Sequence, residues 1–148
     1  MIGLALEGGG VRGSYEAGAY IALLECGIKI NGVCGTSIGA LNGAFIASGK
    51  GSSLPNIWRE YLEALKENKI NLKYLKALIL NLISIISNKG IELKGLKELM
   101  DKEIDIDQLL NSDIDFGLVT VRLKDLKPVC LFKGEMEKDK IKDYIIAS

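Results

Sequence analysis

The sequence predicts an α/β fold with a mainly parallel central sheet, and three consecutive stretches carry this prediction. Short apolar runs at residues 2–7 and 28–34 are typical of buried parallel strands. Residues 14–26 between them place apolar side chains at helical spacing, and Gly27 follows as a natural helix end. Because strand–helix–strand connections are right-handed, the two strands should be parallel, with their carboxyl ends at one edge of the sheet.

Length and composition fit a single domain spanning residues 1–148. Hydrophobic residues make up 48% of the chain. The 19 basic residues balance 19 acidic ones, so the chain lacks the net positive charge that is typical of nucleic-acid-binding proteins. The three cysteines are widely spaced, which argues against a disulfide framework or a zinc site and suits the reducing cytoplasm. The longest apolar run, 77–86, is far short of the roughly 20 residues that span a bilayer. We expect neither a metal nor a cofactor.

A G-x-S-x-G pattern follows the second predicted strand and opens a run of small and apolar residues. It reads Gly35-Thr36-Ser37-Ile38-Gly39. Strand, sharp turn and helix is the context in which this pattern marks a nucleophile elbow, with a serine hydroxyl exposed at a helix N-terminus. Ser37 is therefore the candidate nucleophile. The same pattern is also compatible with glycines that only let a helix pack tightly on a strand.

A glycine-rich loop, Gly8-Gly9-Gly10-Val11-Arg12-Gly13, follows the first predicted strand. As a G-x-G-x-x-G dinucleotide fingerprint it lacks the acidic ribose anchor about 20 residues downstream, since residues 27–58 contain no Asp or Glu. As a P-loop it fails because Ser14-Tyr15 stands where Lys-Ser/Thr is required. An oxyanion hole fits better, with positive charge from Arg12 and backbone N–H groups from Gly8, Gly9, Gly10 and Gly13. A plain glycine-rich turn is the remaining interpretation.

Together the two motifs resemble those of the patatin-like phospholipase family. The matching pieces are the loop at 8–13 and the elbow at 35–40, in the same order and spacing, and the small-residue helix that continues through 41–44. Each motif alone is weak, whereas the ordered pair is highly specific. The resemblance covers most of the chain, more loosely after Ser52. It implies a three-layer α/β/α fold and hydrolysis of lipid or phospholipid acyl esters through a Ser–Asp dyad.

The chain contains no histidine, so a Ser-His-Asp triad cannot form within it, and the family's dyad fits that composition. The family's catalytic Asp stands in an Asp-Gly-Gly or Asp-Gly-Ala turn, and this sequence has no Asp-Gly dipeptide. Residues 145–148 look like the family segment shortly before that turn. We therefore expect a domain truncated before the catalytic Asp segment, incomplete at its C-terminus and inactive or nearly so alone. Open strand edges should also favour self-association.

Residues 57–87 are predicted to be helical, with an apolar stripe and a lysine-rich face in the first half. A basic amphipathic helix can lie in a membrane interface, which would suit an enzyme whose substrate is there. Peripheral membrane contact through 65–87 is therefore one interpretation. The other, commoner case is a lid helix packed on the domain with its lysines in solvent.

The C-terminal part of the sequence predicts a β-hairpin and a helix. Residues 116–123 form the strongest strand by composition, and residues 129–132 should pair back with it antiparallel after a turn. Residues 136–147 are predicted to be an amphipathic helix. Acidic residues alternate over 101–107, but Ile106 stands where a calcium-binding loop needs glycine, so this stretch is interpreted as a solvated turn.

Three functional classes remain open from the sequence. A serine acyl hydrolase would use Ser37 as its nucleophile and the loop at 8–13 as its oxyanion hole. A nucleotide-binding module would instead hold a pyrophosphate on Gly8, Gly10 and Gly13. A degenerate, non-catalytic homologue would present a surface to a partner.

Overall fold

A four-stranded sheet organises the protein. The structure is a computed structural model that describes residues 1–67 and 94–148, and the side chains of 1–63 and 99–148. In order across the sheet, the strands are β1 (Gly3–Leu6), β2 (Gly32–Gly35), β3 (Asp115–Arg122) and β4 (Lys127–Phe132). The first three strands are parallel, and β4 is antiparallel to β3. The predicted α/β class with a mainly parallel sheet is confirmed, as is the predicted hairpin.

The helices of the described ranges alternate with the strands in the N-terminal half and cluster in the C-terminal half. They are α1 (Gly13–Glu25), α2 (Ile38–Ala47), α3 (Leu54–Glu67), α4 (Lys94–Glu103), α5 (Ile106–Asn111) and α6 (Ile141–Ala147). The helix predicted over 57–87 is described only as far as Glu67. The proposed membrane contact through 65–87 therefore lies outside the described side chains.

The second strand is shorter than the predicted run at 28–34. The chain leaves α1 through Gly27, whose φ of 71° is in the left-handed region, and the Ile28 N–H donates to the Leu23 carbonyl at 3.0 Å. This helix-ending hydrogen bond keeps the first residues of the run out of the sheet. The Asn31 side chain then accepts the Ile2 N–H at 2.9 Å and aligns the entry to β2 with β1.

The core is built around α2, whose residues 39–47 are all buried. Small residues let this helix lie directly on the sheet. A Cβ added at Gly43 would approach Val33 of β2 and Phe116 of β3 to 3.2 and 3.3 Å. Close packing of this kind explains why the small-residue run after the elbow is a central helix rather than a surface one.

The described helices gather on one face of the sheet. Helix α2 contacts β1, β2 and β3, α1 packs on α2 and α3, and α6 packs on β3 and α2. On the opposite face Ala5, Cys130 and Phe132 are exposed. The third layer of the expected α/β/α arrangement is not seen within 1–67 and 94–148.

The last helix begins later than the predicted range of 136–147. Met136 and Glu137 are extended, a 3₁₀ turn covers Lys138–Lys140, and α6 starts only at Ile141. Extended backbone at Met136 lets its side chain enter the core, where it is 7% exposed. Burial of this residue outweighs the modest helical preference of the charged residues that follow it.

Candidate active site

Ser37 occupies a strained, exposed position at the turn between β2 and α2. Its φ of 54° and ψ of −124° lie in a region that non-glycine residues rarely adopt, and it is the N-cap residue of α2. The side chain is exposed at the carboxyl end of β2. This is the geometry of a nucleophile elbow, in which a sharp strand-to-helix turn presents a hydroxyl at the edge of the sheet.

The two glycines of the G-x-S-x-G pattern are required by close backbone contacts. A Cβ at Gly35 would collide with the backbone of Gly39 and Ala40. A Cβ at Gly39 would lie 2.5 Å from the Leu6 carbonyl oxygen and 2.8 Å from that of Glu7. The tight-packing explanation of these glycines is therefore correct, and it coexists with the elbow geometry instead of replacing it.

Thr36 ties the elbow to both neighbouring strands. Its N–H donates to the Leu6 carbonyl of β1 at 3.2 Å, and its Oγ1 donates to the Val119 carbonyl of β3 at 3.0 Å. These two hydrogen bonds hold the turn from either side. They resist relaxation of the strained Ser37 backbone, because such strain persists only where the surroundings over-determine it.

The glycine-rich loop lies beside Ser37 in space, because β1 and β2 are parallel and both end at the same edge of the sheet. A Cβ at Gly8 would lie 3.3 Å from Ser37 Cβ and 3.3 Å from Thr36 Cγ2. Within the described residues, the N–H groups of Gly8 and Gly9 have no hydrogen-bond acceptor. The N–H of Ile38 also lacks an intrahelical acceptor, because it lies in the first turn of α2. Donors from two segments are thus close to the serine.

The rest of the loop shapes the turn and packs on the helices. Gly10 has a φ of 57°, and a 3₁₀ turn covers Gly10–Arg12. The Arg12 side chain folds back over the loop, with Nε 3.2 Å from the position of a Cβ on Gly9. Gly13 is buried, and a Cβ there would lie 2.7 Å from Ile38 and 2.8 Å from Trp58. Arg12 and Gly13 therefore border the site, with Gly13 on the side of the helices.

Behind the elbow lies a buried hydrogen-bond network centred on Asn42, which the sequence analysis did not single out. Asn42 is 1% exposed, and its Nδ2 donates to the Gly13 carbonyl and to Glu16 Oε2, both at 2.9 Å. Trp58 Nε1 donates to Asn42 Oδ1 at 3.1 Å. One amide thus links α2 to α1 and α3. The available signal was an asparagine at the centre of an otherwise small and apolar helix.

The other end of the chain also lies at the elbow. The Ser37 N–H donates to Ser148 Oγ at 3.1 Å, and Ser148 Oγ donates to the Ile145 carbonyl at 2.8 Å. Thr120 Oγ1 donates to the Ala147 carbonyl at 2.5 Å, which fixes the end of α6 against β3. No carboxylate in the described part of the chain is hydrogen-bonded to Ser37.

Comparison with known proteins identifies the family. The model of the patatin-like phospholipase family matches residues 4–148. The chain therefore belongs to the patatin-like phospholipase family, and its α/β fold is the fold that the two motifs led us to expect.

Among curated proteins, the chain is similar to patatin-like phospholipase domain-containing protein 7 of Mus musculus, with 38% identity over 77 residues, 49% of this chain and 6% of that protein. It is 32% identical over 134 residues to the uncharacterized protein YqhO of Bacillus subtilis, covering 81% of this chain and 46% of that protein. Over 46 residues, 31% of this chain and 3% of the relative, it is 54% identical to lysophospholipase nte1 of Aspergillus terreus. The chain thus spans less than half the length of each of these relatives.

No solved structure matches the chain. Among the described residues, no helix is both long and apolar enough to cross a membrane. All three cysteines are free thiols, and Cys34 is half-buried on β2. Burial raises the pKa of the Cys34 thiol, and the nearby Cys130 raises it further.

Proposed function

We propose that this domain carries the nucleophile of a lipid acyl hydrolase. Ser37 Oγ attacks the ester carbonyl carbon, the alcohol leaves with the serine proton, and water then hydrolyses the acyl–enzyme to release the acid. Membership of the patatin-like phospholipase family supports this reaction class. The name lysophospholipase carried by the Aspergillus relative supports lipid esters as the substrate class.

The observation that carries the proposal is the contact between the glycine loop and the elbow. With 3.3 Å between Ser37 Cβ and the position of a Cβ on Gly8, only a residue without a side chain leaves room for a substrate there. The N–H groups of Gly8 and Gly9 have no acceptor in the described ranges, and the Ile38 N–H lies at the start of α2. We assign these N–H groups to the oxyanion hole, where each such donor contributes roughly 2.7–4 kcal/mol in known hydrolases.

The general base is proposed to be an Asp of the family's Asp-Gly turn, a dipeptide that this sequence lacks. A serine without a base is a weak nucleophile near neutral pH. The chain of 148 residues should therefore hydrolyse esters slowly or not at all by itself.

The dinucleotide-binding alternative has less support. It leaves the strained Ser37 turn without a purpose, and residues 27–58 contain no acidic ribose anchor. Calorimetry with NAD and ATP would test it directly. We expect no heat of binding from either nucleotide.

A fluorophosphonate probe tests the hydrolase proposal, because it reports an accessible serine nucleophile even when turnover is slow. We expect slow labelling at Ser37, identified by peptide mass spectrometry, and loss of labelling in Ser37→Ala. Ser14→Ala is the matched control, since Ser14 lies on α1 near the loop and its hydroxyl donates only to the Val11 carbonyl at 2.8 Å. Labelling that persists in Ser37→Ala, or labelling that Ser14→Ala abolishes, would contradict the assignment.

A further inference from the structure

The turn that joins β3 to β4 exposes two leucines. We call residues 122–127 the hairpin tip. Leu123 is 76% exposed and Leu126 is 74% exposed, and they lie on a four-residue turn. Single exposed apolar residues are common, but two large ones on one short turn form a small apolar cap.

This cap extends past the edge of the sheet that carries Ser37. Gly35, the last residue of β2, pairs with Leu118, and β3 continues in parallel for four more residues to Arg122. At about 3.3 Å per residue, the hairpin reaches roughly 13 Å beyond the end of β2. Ser37 emerges at that same edge. The hairpin tip thus projects beyond the end of β2 on the nucleophile's side of the sheet.

The backbone holds Leu126 outward in a conformation that a leucine rarely adopts. Its φ of 55° lies in the left-handed region, which glycine or asparagine would occupy without strain. The Leu126 N–H donates to the Arg122 carbonyl at 2.8 Å, which locks the turn. A leucine therefore stands, strained and exposed, where the fold alone would favour glycine.

Charge around the hairpin tip is arranged for a negative surface. The Arg122 guanidinium forms two hydrogen bonds with the Asp125 carboxylate, both at 2.8 Å, so this pair is neutral as a unit. Lys124 and Lys127 are exposed, and neither has an acidic partner in the described part of the chain. The tip therefore carries two uncompensated positive charges beside its two leucines, although the whole chain has a formal net charge of +0.

We propose that the hairpin tip inserts into an anionic lipid surface, with Leu123 and Leu126 in the acyl boundary and Lys124 and Lys127 at the headgroups. The combination of a shallow apolar cap and flanking cations is what such an interface binds. A second protein is a poorer fit, because the surface area of two leucine side chains is far smaller than the roughly 800 Å² of surface that each partner of a stable complex buries. This inference deepens the proposed function and rests on it for its purpose, since it turns Ser37 toward a lipid phase.

Vesicle co-sedimentation of the 148-residue chain tests the inference without any need for catalysis. We expect binding to phosphatidylcholine vesicles that contain phosphatidylglycerol, weaker binding without it, and weakening at high salt. Leu123→Asp with Leu126→Asp should lower the partition coefficient at least tenfold. Lys124→Glu with Lys127→Glu should lower it by more than fivefold for each lysine, since neutralising one juxtamembrane lysine already costs about fivefold.

Matched controls lie at the opposite edge of the sheet. Leu24→Asp changes a leucine that is 40% exposed in the last turn of α1, and Lys29→Glu changes an exposed lysine just before β2. Neither should alter vesicle binding by more than twofold. Equal losses in the control and hairpin-tip variants would overturn the proposal, because they would indicate a general charge or folding effect.

Leu126→Gly separates membrane contact from folding. Relief of the left-handed strain should raise the melting temperature, while removal of the side chain should weaken vesicle binding by at least threefold. If this variant is destabilised or binds as well as the unchanged protein, the proposal is wrong.

Two further outcomes distinguish the inference from the proposed function. Ser37→Ala should bind vesicles like the unchanged chain, because the hairpin tip is not altered. If the unchanged chain binds vesicles but Ser37 is not labelled by the fluorophosphonate, the membrane inference stands and only the proposed role of Ser37 is in question. Conversely, if Ser37 is labelled but the chain does not bind anionic vesicles, the membrane inference is refuted and the proposed function is not. The chain could also fail to bind vesicles and form concentration-dependent dimers that disappear with Leu123→Asp and Leu126→Asp. That result would assign the apolar cap to self-association and overturn the membrane inference.

Discussion

Replacement of Asn42 by leucine should destabilise the domain strongly, although the number and branching of the side-chain heavy atoms are kept. The indole N–H of Trp58 would be left without an acceptor inside the core, where Asn42 is 1% and Trp58 6% exposed. The Gly13 carbonyl would lose the second of its two hydrogen bonds, since it also accepts one within α1. An unsatisfied buried group costs about 1–3 kcal/mol, and Glu16 can turn to water, so the expected loss is about 3 kcal/mol. That is a large part of a typical stability of about 5–15 kcal/mol. Urea unfolding followed by circular dichroism measures it.

Two companions sharpen this prediction. Ser48→Ala removes the other buried polar side chain among those that the structure describes. Its hydroxyl donates only locally to the Phe45 carbonyl at 3.2 Å, so the loss should stay at about 1 kcal/mol. Adding Trp58→Phe to Asn42→Leu should cost little more, because the orphaned donor disappears with the indole. A loss below about 1 kcal/mol for Asn42→Leu would refute the reasoning that the amide holds the three helices together.

Two other predictions concern glycines and thiols. Gly39→Ala should prevent folding or lower stability severely, since its Cβ would lie 2.5 Å from the Leu6 carbonyl oxygen. Gly18→Ala, with open space in the middle of α1, should instead raise stability by about 0.5–1 kcal/mol. Thermal melts of both variants measure these changes. Cys34 should react with iodoacetamide more slowly than exposed Cys26 at neutral pH, because burial raises the pKa of the Cys34 thiol and less thiolate is present, a rate difference that mass spectrometry would measure. Equal melting temperatures for the two glycine variants, or faster alkylation of Cys34, would contradict these expectations.

The geometry of the N-terminal part of the candidate site was predictable because it depends on local chemistry. Glycine is the residue that permits the close approaches at Gly8, Gly35 and Gly39, so its spacing marks the loop and the elbow directly in the sequence. The parallel arrangement of β1 and β2 then follows from connection handedness, and it brings Gly8 beside Ser37.

Other features depend on tertiary contacts that no local pattern records. The partners of Asn42 lie 16 to 29 residues away, and no pattern near Asn42 in the sequence predicts these hydrogen bonds. Leu126 has a left-handed φ at a turn position where composition favours glycine or asparagine, so the sequence did not reveal the strained hairpin tip. The late start of α6 is likewise set by burial of Met136, which overrides local helix preference.

The central claim is that residue 37 presents a nucleophile at a helix N-terminus among unpaired amides, and Ser37→Cys tests it most directly. A thiolate needs no general base, so the test applies to the 148-residue chain itself. In a background where the three native cysteines are alanine, we expect the pH dependence of iodoacetamide alkylation to give a thiol pKa at least a unit below the ordinary value of about 8.5. Gly8→Val should slow the reaction, because it crowds the same space. A pKa at or above the ordinary value, or alkylation only after unfolding, would contradict the account.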